Sequence, residues 1–152
     1  MTWQKQSGDP GTLTYSVNGV NVTKSLVRQP IRNDDYTGRY TVGLHFVATA
    51  CSNPSKNGPT DGADTMNFTQ NGTTISAFLV TLGCNYAGTY SQSGQFGTIS
   101  GTYSCPANGD AGTFDTSNMV VTPVGMVMRV SASSTSTGCQ STGQIGGVRN
   151  DQ

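Results

Sequence analysis

The stretch that decides the fold is Cys84-Asn85-Tyr86-Ala87-Gly88-Thr89-Tyr90, followed after a turn near Gly94-Gln95 by Ile99-Ser100-Gly101-Thr102-Tyr103-Ser104-Cys105. Folding the chain about that turn brings alike or complementary residues face to face: Cys84 and Cys105, Tyr86 and Tyr103, Gly88 and Gly101, and Tyr90 and Ile99. One face then carries rings and glycines, and the other carries mostly hydroxyl groups. Rings beside glycines can lie over bare backbone, as a tightly curved sheet requires. The stretch therefore predicts an antiparallel hairpin in a curved sheet.

Two Asn-Gly pairs predict further hairpins, because Asn-Gly suits the tight turn in which both central residues take a positive φ. Asn18-Gly19 would set Val17 opposite Val20 and Tyr15 opposite Val22. Asn71-Gly72 would set Phe68 opposite Ile75 and Met66 opposite Ala77.

The rest of the chain alternates apolar and polar residues between Gly, Asn and Pro, with almost no helical periodicity, which is typical of an all-β protein. The eight strands predicted after the first hairpin span residues 39–50, 63–70, 73–82, 84–92, 96–105, 112–122, 126–132 and 138–148. Eight sequential antiparallel strands are enough to close an up-and-down barrel, and a β-sandwich is the alternative. We expect residues 1–30 to form an N-terminal hairpin, which could be the tail of a preceding domain, and residues 36–152 to form the barrel domain. Residues 52–61 read as the longest irregular loop.

The composition points to export and argues against several partners. Charged residues make up 11% of the chain, the formal net charge is zero, and Ser, Thr, Gly and Asn supply nearly half of the residues. The chain has no basic stripe for nucleic acid and no apolar run of membrane-spanning length. Met1-Thr2-Trp3-Gln4 is polar and does not resemble a signal peptide, so we interpret the chain as a mature or trimmed form of a secreted or cell-envelope protein, with a cytosolic protein as the alternative.

The four cysteines predict two disulfides. They are widely spaced, form no C-x-x-C pair, and share the chain with a single histidine, so a zinc site lacks ligands. In a closed meander the first and last strands are neighbours, which favours Cys51–Cys139 across the seam together with Cys84–Cys105. Strict alternation, however, puts Cys51 on the face opposite Phe46, which a bulge or the strand end would have to absorb. The pairing Cys51–Cys84 with Cys105–Cys139 stays open.

Several segments resemble the C-terminal region of uncharacterised exported proteins of Gram-negative bacteria. They are residues 11–20, Lys24, Arg28-Gln29, and residues 36–40, 51–54, 88–92, 101–105 and 143–149. The resemblance implies export and a β-domain and carries no activity or site. The Gly-Thr-Tyr elements are also similar to avidin-type barrels, but the only tryptophan is Trp3, and the Gly-x-Trp strand of lipocalins is missing. Both are analogies of architecture.

The aromatic face supplies the best candidate binding residues. A barrel of eight strands can hold one small ligand or fill with side chains, and both options stay open. The candidate ligand-binding residues are Tyr40, Phe46, Tyr86, Tyr90 and Tyr103. Glycines at 88 and 101 would leave space beside the rings, and tyrosine offers a hydroxyl as well as an apolar face. The expected partner is a small apolar ligand or a glycan, with no cofactor.

Catalytic signals are weak. His45 lies on the face opposite Tyr40 and Phe46 and should point outward, and no G-x-S-x-G motif occurs. Asp34-Asp35 and Asp61-Gly62-Ala63-Asp64 could offer carboxylates to chemistry or to calcium, but read more simply as turn formers. We therefore expect a non-catalytic binding domain. The alternatives are a self-assembling surface domain and a small hydrolase or isomerase that uses His45 and Asp35.

Overall fold

A computed structural model describes residues 2–5, 11–26 and 33–150 of the chain. The described part is all-β, and its only helical element is a single 3-10 turn at Pro54–Lys56. The strands are β1 (Thr2–Lys5), β2 (Gly11–Val17), β3 (Val20–Leu26), β4 (Gly38–Thr49), β5 (Gly58–Asn71), β6 (Thr74–Leu79), β7 (Cys84–Ser93), β8 (Phe96–Cys105), β9 (Asp110–Thr122), β10 (Gly125–Ser134) and β11 (Gln140–Arg149). Two compact units result: one contains the N-terminal sheet, and the other is the barrel, built from Asp34–Ser91 and Phe96–Gln152.

The N-terminal unit is a three-stranded antiparallel sheet in the order β1-β2-β3. The predicted Asn-Gly hairpin is confirmed, because Val17 pairs with Val20 and Tyr15 with Val22. Asn18 and Gly19 take φ values of 50° and 78°, as this turn requires. The third strand, β1, was not foreseen, and it pairs with β2. Residues 27–32, where the predicted domain boundary falls in part, lie outside the described residues.

The second unit is a closed antiparallel barrel in which consecutive strands from β4 to β11 are neighbours and β11 pairs with β4. The seam is fully paired, from Gln140 opposite Thr49 to Arg149 opposite Tyr40. The predicted eight-stranded barrel is therefore confirmed, and the β-sandwich is not formed. Seven of the eight barrel strands begin and end within a few residues of the predicted bounds.

Strand β5 is the exception. It begins at Gly58, where Gly58 pairs with Ala48 and Pro59 with Val47, so the predicted loop over residues 52–61 ends at Asn57. Proline tends to demote a strand prediction, but it is tolerated on an edge strand. Within the described residues, β5 pairs only with β4 before it meets Leu79 of β6 at Met66, so its first half is such an edge.

The register of the β5–β6 hairpin also differs from the prediction. Phe68 faces Ala77 and Met66 faces Leu79, because the turn uses Gly72 and Thr73 in place of Asn71 and Gly72. Gly72 alone takes a positive φ, of 60°, at the first central position, so Asn71 stays in the strand. The shift is two residues along β6, and every side chain therefore keeps its predicted face.

Both predicted disulfides, Cys51–Cys139 and Cys84–Cys105, are formed, which excludes the alternative pairing. The anticipated misfit at Cys51 is resolved at the strand end. Strand β4 stops at Thr49, and Ala50 takes a left-handed φ of 54°, which breaks the alternation before Cys51.

The inward face of β4 is as predicted: Tyr40, Val42 and Leu44 are buried, and Phe46 is partly buried against them. The core is filled around Tyr36, which precedes β4 and is fully buried. The segment that carries it is fastened to β5: the Tyr36 amide donates to Gln70 Oε1 at 3.0 Å, and Gln70 Nε2 donates to the Asp34 carbonyl at 3.2 Å. The end of the barrel where β4 begins is thereby closed by the chain itself.

Candidate functional site

The barrel has a recess of about 350 Å³ at the end where β4 finishes and β5 begins. Inward-facing side chains of several strands form its wall, among them Leu44, Phe46, Leu79, Tyr86, Tyr103 and Val130. The Cys84–Cys105 disulfide also lines it, and Cys51 and Cys139 adjoin the strand ends on this side. By contrast, the filled half of the barrel retains a cavity of only about 20 Å³, between Phe68, Ile75 and Met128 among others. The interior is therefore packed at one end and open at the other.

The aromatic wall of the recess is built on the hairpin of β7 and β8. The rings of Tyr86 and Tyr103 stack with centroids 5.8 Å apart, and the Tyr86 ring meets Phe114 edge-on at 5.3 Å. Burial, together with the nearby Tyr103 and Asp110, raises the pKa of Tyr86 to about 12. Tyr86 therefore stays neutral at physiological pH and presents a ring and a hydroxyl.

The glycines of this hairpin do not leave room for a ligand, contrary to the prediction. A Cβ atom on Gly101 would lie 2.1 Å from the Ala87 carbonyl oxygen, and one on Gly88 would lie 2.6 Å from the Ser100 carbonyl oxygen. The space is taken by backbone, because the strongly curved strands approach each other there. The expectation that tyrosine rings lie over bare glycine backbone holds at a different glycine. The Tyr90 ring covers Gly97, where a Cβ would meet Tyr90 Cε2 at 2.6 Å.

Of the five candidate ligand-binding residues, the structure brings Phe46, Tyr86 and Tyr103 together in the recess. It places Tyr40 and Tyr90 in the filled half, where both are buried. The Tyr40 hydroxyl donates to the Tyr36 carbonyl at 3.0 Å and accepts a hydrogen bond from Arg149, and the Arg149 guanidinium lies 5.1 Å from the Tyr40 ring centroid.

Tyr90 packs edge-on against Tyr36, with ring centroids 5.5 Å apart. Burial and the nearby Asp34 raise the pKa of Tyr90 to about 12. Tyr40 and Tyr90 thus contact the side chains that close the barrel, at the end away from the recess.

Asp110 is a charged recess residue that was not among the sequence-predicted candidates. It is the first residue of β9, pairs with Cys105, and lines the recess. Its Oδ1 accepts hydrogen bonds from the hydroxyls of Ser134 at 2.6 Å and Ser136 at 2.7 Å, and its Oδ2 accepts one from Tyr103 at 3.2 Å.

Burial acts to raise the pKa of Asp110, but the hydrogen bonds from Ser134, Ser136 and Tyr103 outweigh it, so the pKa lies below its ordinary value. Asp110 is therefore ionised at neutral pH. The available signal was the Asn108-Gly109 turn directly before it, which places Asp110 at the start of a strand; the predicted strand began two residues later, at Gly112.

Asp64 plays a structural part near the same end. Its side chain is buried and accepts three backbone hydrogen bonds, from the amides of Thr65 (2.6 Å), Thr81 (2.8 Å) and Leu82 (3.0 Å). Burial opposes ionisation, but these hydrogen bonds outweigh it and hold the pKa of Asp64 below its ordinary value. The Asp64 carboxylate binds the turn that borders the recess. These hydrogen bonds account for a buried carboxylate at this position without a calcium ion.

The remaining polar candidates lie apart from the recess interior. His45 points outward, as predicted, and its Nδ1 lies 2.6 Å from Asp61 Oδ1 on the exposed surface. Asp35 is exposed and accepts from the Thr37 amide at 2.8 Å, and hydrogen bonds from Thr37 lower its pKa. Asp34 is buried at the closed end. The described residues hold no group of three or more His, Cys, Asp or Glu side chains placed to bind a metal.

Comparison of the chain with protein-family models, with curated proteins and with solved structures found no match. The resemblance to exported proteins of Gram-negative bacteria therefore stays a prediction. No helix within the described residues is long and apolar enough to cross a membrane. The barrel and its two disulfides define the class: a disulfide-bonded β-barrel of a kind suited to an oxidising compartment.

Proposed function

We propose that this protein is a secreted or cell-envelope barrel that binds a small apolar ligand in the recess formed by Phe46, Tyr86 and Tyr103. The observation that carries the proposal is the volume of about 350 Å³ that the barrel leaves open at this end. Binding sites for small molecules are concave and mostly apolar, start at about 300 Å³, and contain a few placed polar groups. The recess matches this description.

The distribution of side chains supports an apolar ligand over a glycan. Leu44, Leu79 and Val130 contribute aliphatic wall, and Tyr86 and Tyr103 contribute rings. A glycan would present many hydroxyls, each of which needs a hydrogen-bond partner once it is buried. Besides the two tyrosine hydroxyls, the polar side chains of the recess are those of Thr60, Asp61, Thr81, Asn108, Asp110 and Ser141, a minority of its lining.

The two disulfides support a location outside the cytosol. Cys84–Cys105 lines the recess, and Cys51–Cys139 joins the end of β4 to the start of β11. Disulfides persist in oxidising compartments and are rare where thiols are kept reduced. The wall of the recess is therefore held open by bonds that such a compartment preserves.

The proposal is tested by filling the recess from within. Ala132 on β10 lines it, so Ala132→Phe places a ring in the space that a ligand would occupy. The neutral fluorescent probe N-phenyl-1-naphthylamine should bind the unchanged protein with one-to-one stoichiometry. Ala132→Phe should weaken that binding by at least about tenfold, which corresponds to about 1.4 kcal/mol, because the added ring takes the space of the probe.

The matched control is Ser131→Phe, which adds the same ring to the same strand on its exposed outer face. Circular dichroism and the thermal midpoint of both variants establish that the barrel is intact. Equal binding of the probe to the unchanged protein and to Ala132→Phe, or no binding to either, would contradict the proposal.

A further inference from the structure

The recess contains one carboxylate, of Asp110, for which the described residues supply no cationic partner. The side chain of Asp110 lies at its wall, and its partners are neutral groups: the hydroxyls of Ser134, Ser136 and Tyr103 and the backbone amide of Ala111. Among the residues that the structure describes, no lysine, arginine or histidine lines the recess. Asp61 also borders it, but the carboxylate of Asp61 is engaged with His45 on the outer surface.

The two carboxylate oxygens of Asp110 are not equally occupied. Oδ1 accepts two short hydrogen bonds, from Ser134 and Ser136, whereas Oδ2 accepts the Tyr103 hydroxyl at 3.2 Å. A carboxylate offers about four acceptor positions, so Oδ2 has capacity for a further donor. Tyr103 and Asp110 both line the recess, so a ligand there can approach the carboxylate.

The aromatic wall favours the same charge. The stacked rings of Tyr86 and Tyr103 form one side of the recess and carry negative potential on their faces. A cation near such a face is attracted by it, and the attraction grows when the pair is shielded from water. A carboxylate, two tyrosine rings and an apolar interior together select an organic cation with an apolar body.

We propose, resting on the binding function above, that the recess takes a small ammonium ligand, with its nitrogen at Asp110 Oδ2 and its apolar part between Phe46, Tyr86 and Leu79. Three probes of similar size separate the contributions: 2-phenylethylammonium, the neutral 2-phenylethanol, and the anionic phenylacetate. Isothermal titration at pH 7 should give the ammonium at least about tenfold tighter binding than the alcohol, because a hydrogen bond to a charged group is worth more than a neutral one. The carboxylate should bind weakest.

The residue is tested by Asp110→Asn, which should bring the affinity for the ammonium to within about threefold of that for the alcohol. The control is Asp115→Asn, on the same strand, where the carboxylate is exposed and bonded to Ser100. This control should leave the preference unchanged.

Asp110 also organises Ser134 and Ser136, so its replacement could unfold the barrel end. Ser141→Lys keeps Asp110 and its hydroxyl partners while adding an ammonium to the recess wall; it should abolish ammonium binding, and Thr142→Lys on the outer face should not. If the alcohol binds as tightly as the ammonium in the unchanged protein, the charge selection is overturned while the apolar binding function survives. If no probe binds and the neutral naphthylamine also fails, both proposals fall.

Discussion

The carboxylate of Asp64 continues the β5–β6 ladder past the point where the two strands separate. The last backbone contact of the ladder runs from the Val80 amide to the Thr65 carbonyl at 2.9 Å. The next two amides, of Thr81 and Leu82, are taken by the Asp64 side chain. A side chain at one position therefore decides where β6 ends and how its turn borders the recess.

Replacing Asp64 by alanine should lower the free energy of unfolding at pH 7 by about 3 kcal/mol, since three backbone amides lose a charged acceptor in partly buried hydrogen bonds. Because the folded-state pKa of Asp64 is lowered, its contribution is complete above the unfolded value of about 3.9 and fades as the pH falls through the folded value. Urea unfolding at pH 7 and at pH 2 measures this. The gap between the unchanged protein and Asp64→Ala should narrow in acid.

Asp115→Ala removes an exposed carboxylate and is the control, with an expected cost of at most about 1 kcal/mol. A gap for Asp64→Ala that is equally large at both pH values would show that the charge of the carboxylate is not what stabilises the turn.

At the scale of elements, the β7–β8 hairpin shows how glycine serves curvature. Gly88 and Gly101 lie so close to the facing backbone that no side chain fits at either. This close approach lets the hairpin bend into the barrel wall. Tyr86 and Tyr103, two residues further along their strands on the same face, stack on each other. The sequence pattern of ring and glycine is therefore a device for bending, and the recess owes its aromatic wall to it.

Gly101→Ala should destabilise the protein by about 3 kcal/mol, because its Cβ would overlap the Ala87 carbonyl and force the strands apart. Gly43→Ala on β4 is the matched control: its nearest atom would be the Gly146 carbonyl oxygen at 4.0 Å, so its effect should lie within about 1 kcal/mol of zero. Thermal and urea unfolding measure both. Equal effects of the two substitutions would contradict the account of the hairpin.

At the scale of the whole molecule, barrel closure pairs the first barrel strand, β4, with the last, β11. Strand β11 pairs with β4 along its whole length, and Cys51–Cys139 links residues 88 apart in sequence beside that seam. Cys84–Cys105 spans only 21 residues within one hairpin. The two bonds thus constrain the unfolded chain to different degrees.

Loop entropy predicts that the paired substitution of Cys51 and Cys139 by alanine costs about 4.5 kcal/mol, and that of Cys84 and Cys105 about 3 kcal/mol. Chemical unfolding of the two double variants under oxidising conditions measures the difference. If removal of Cys84–Cys105 costs more stability than removal of Cys51–Cys139, local packing around the recess, and not chain entropy, sets the stabilisation by each disulfide.

The sequence by itself predicted the eight barrel strands, their order and their inward faces, and it favoured the disulfide pairing that formed without excluding the other. These follow from local rules: alternation assigns faces, short turns make neighbours antiparallel, and eight such strands are enough to close a barrel. The β5–β6 turn was predicted one residue too early. The pairing partners on β6 therefore shift by two residues, and each side chain stays on its predicted face of the sheet. The start of β5 was missed because Pro59 resembles a loop residue until it is known that this part of the strand is an edge.

Only the tertiary structure decided where the barrel is full and where it is open. The five candidate aromatic residues lie at two different ends of the barrel. Tyr36, from a segment before the first barrel strand, fills one end beside Tyr40 and Tyr90, and the other three line the recess. Asp110 gained its environment from Tyr103, Ser134 and Ser136, which no local spacing brings together. A recess is the volume left over by side chains from many strands, and that quantity is fixed only when all of them are packed.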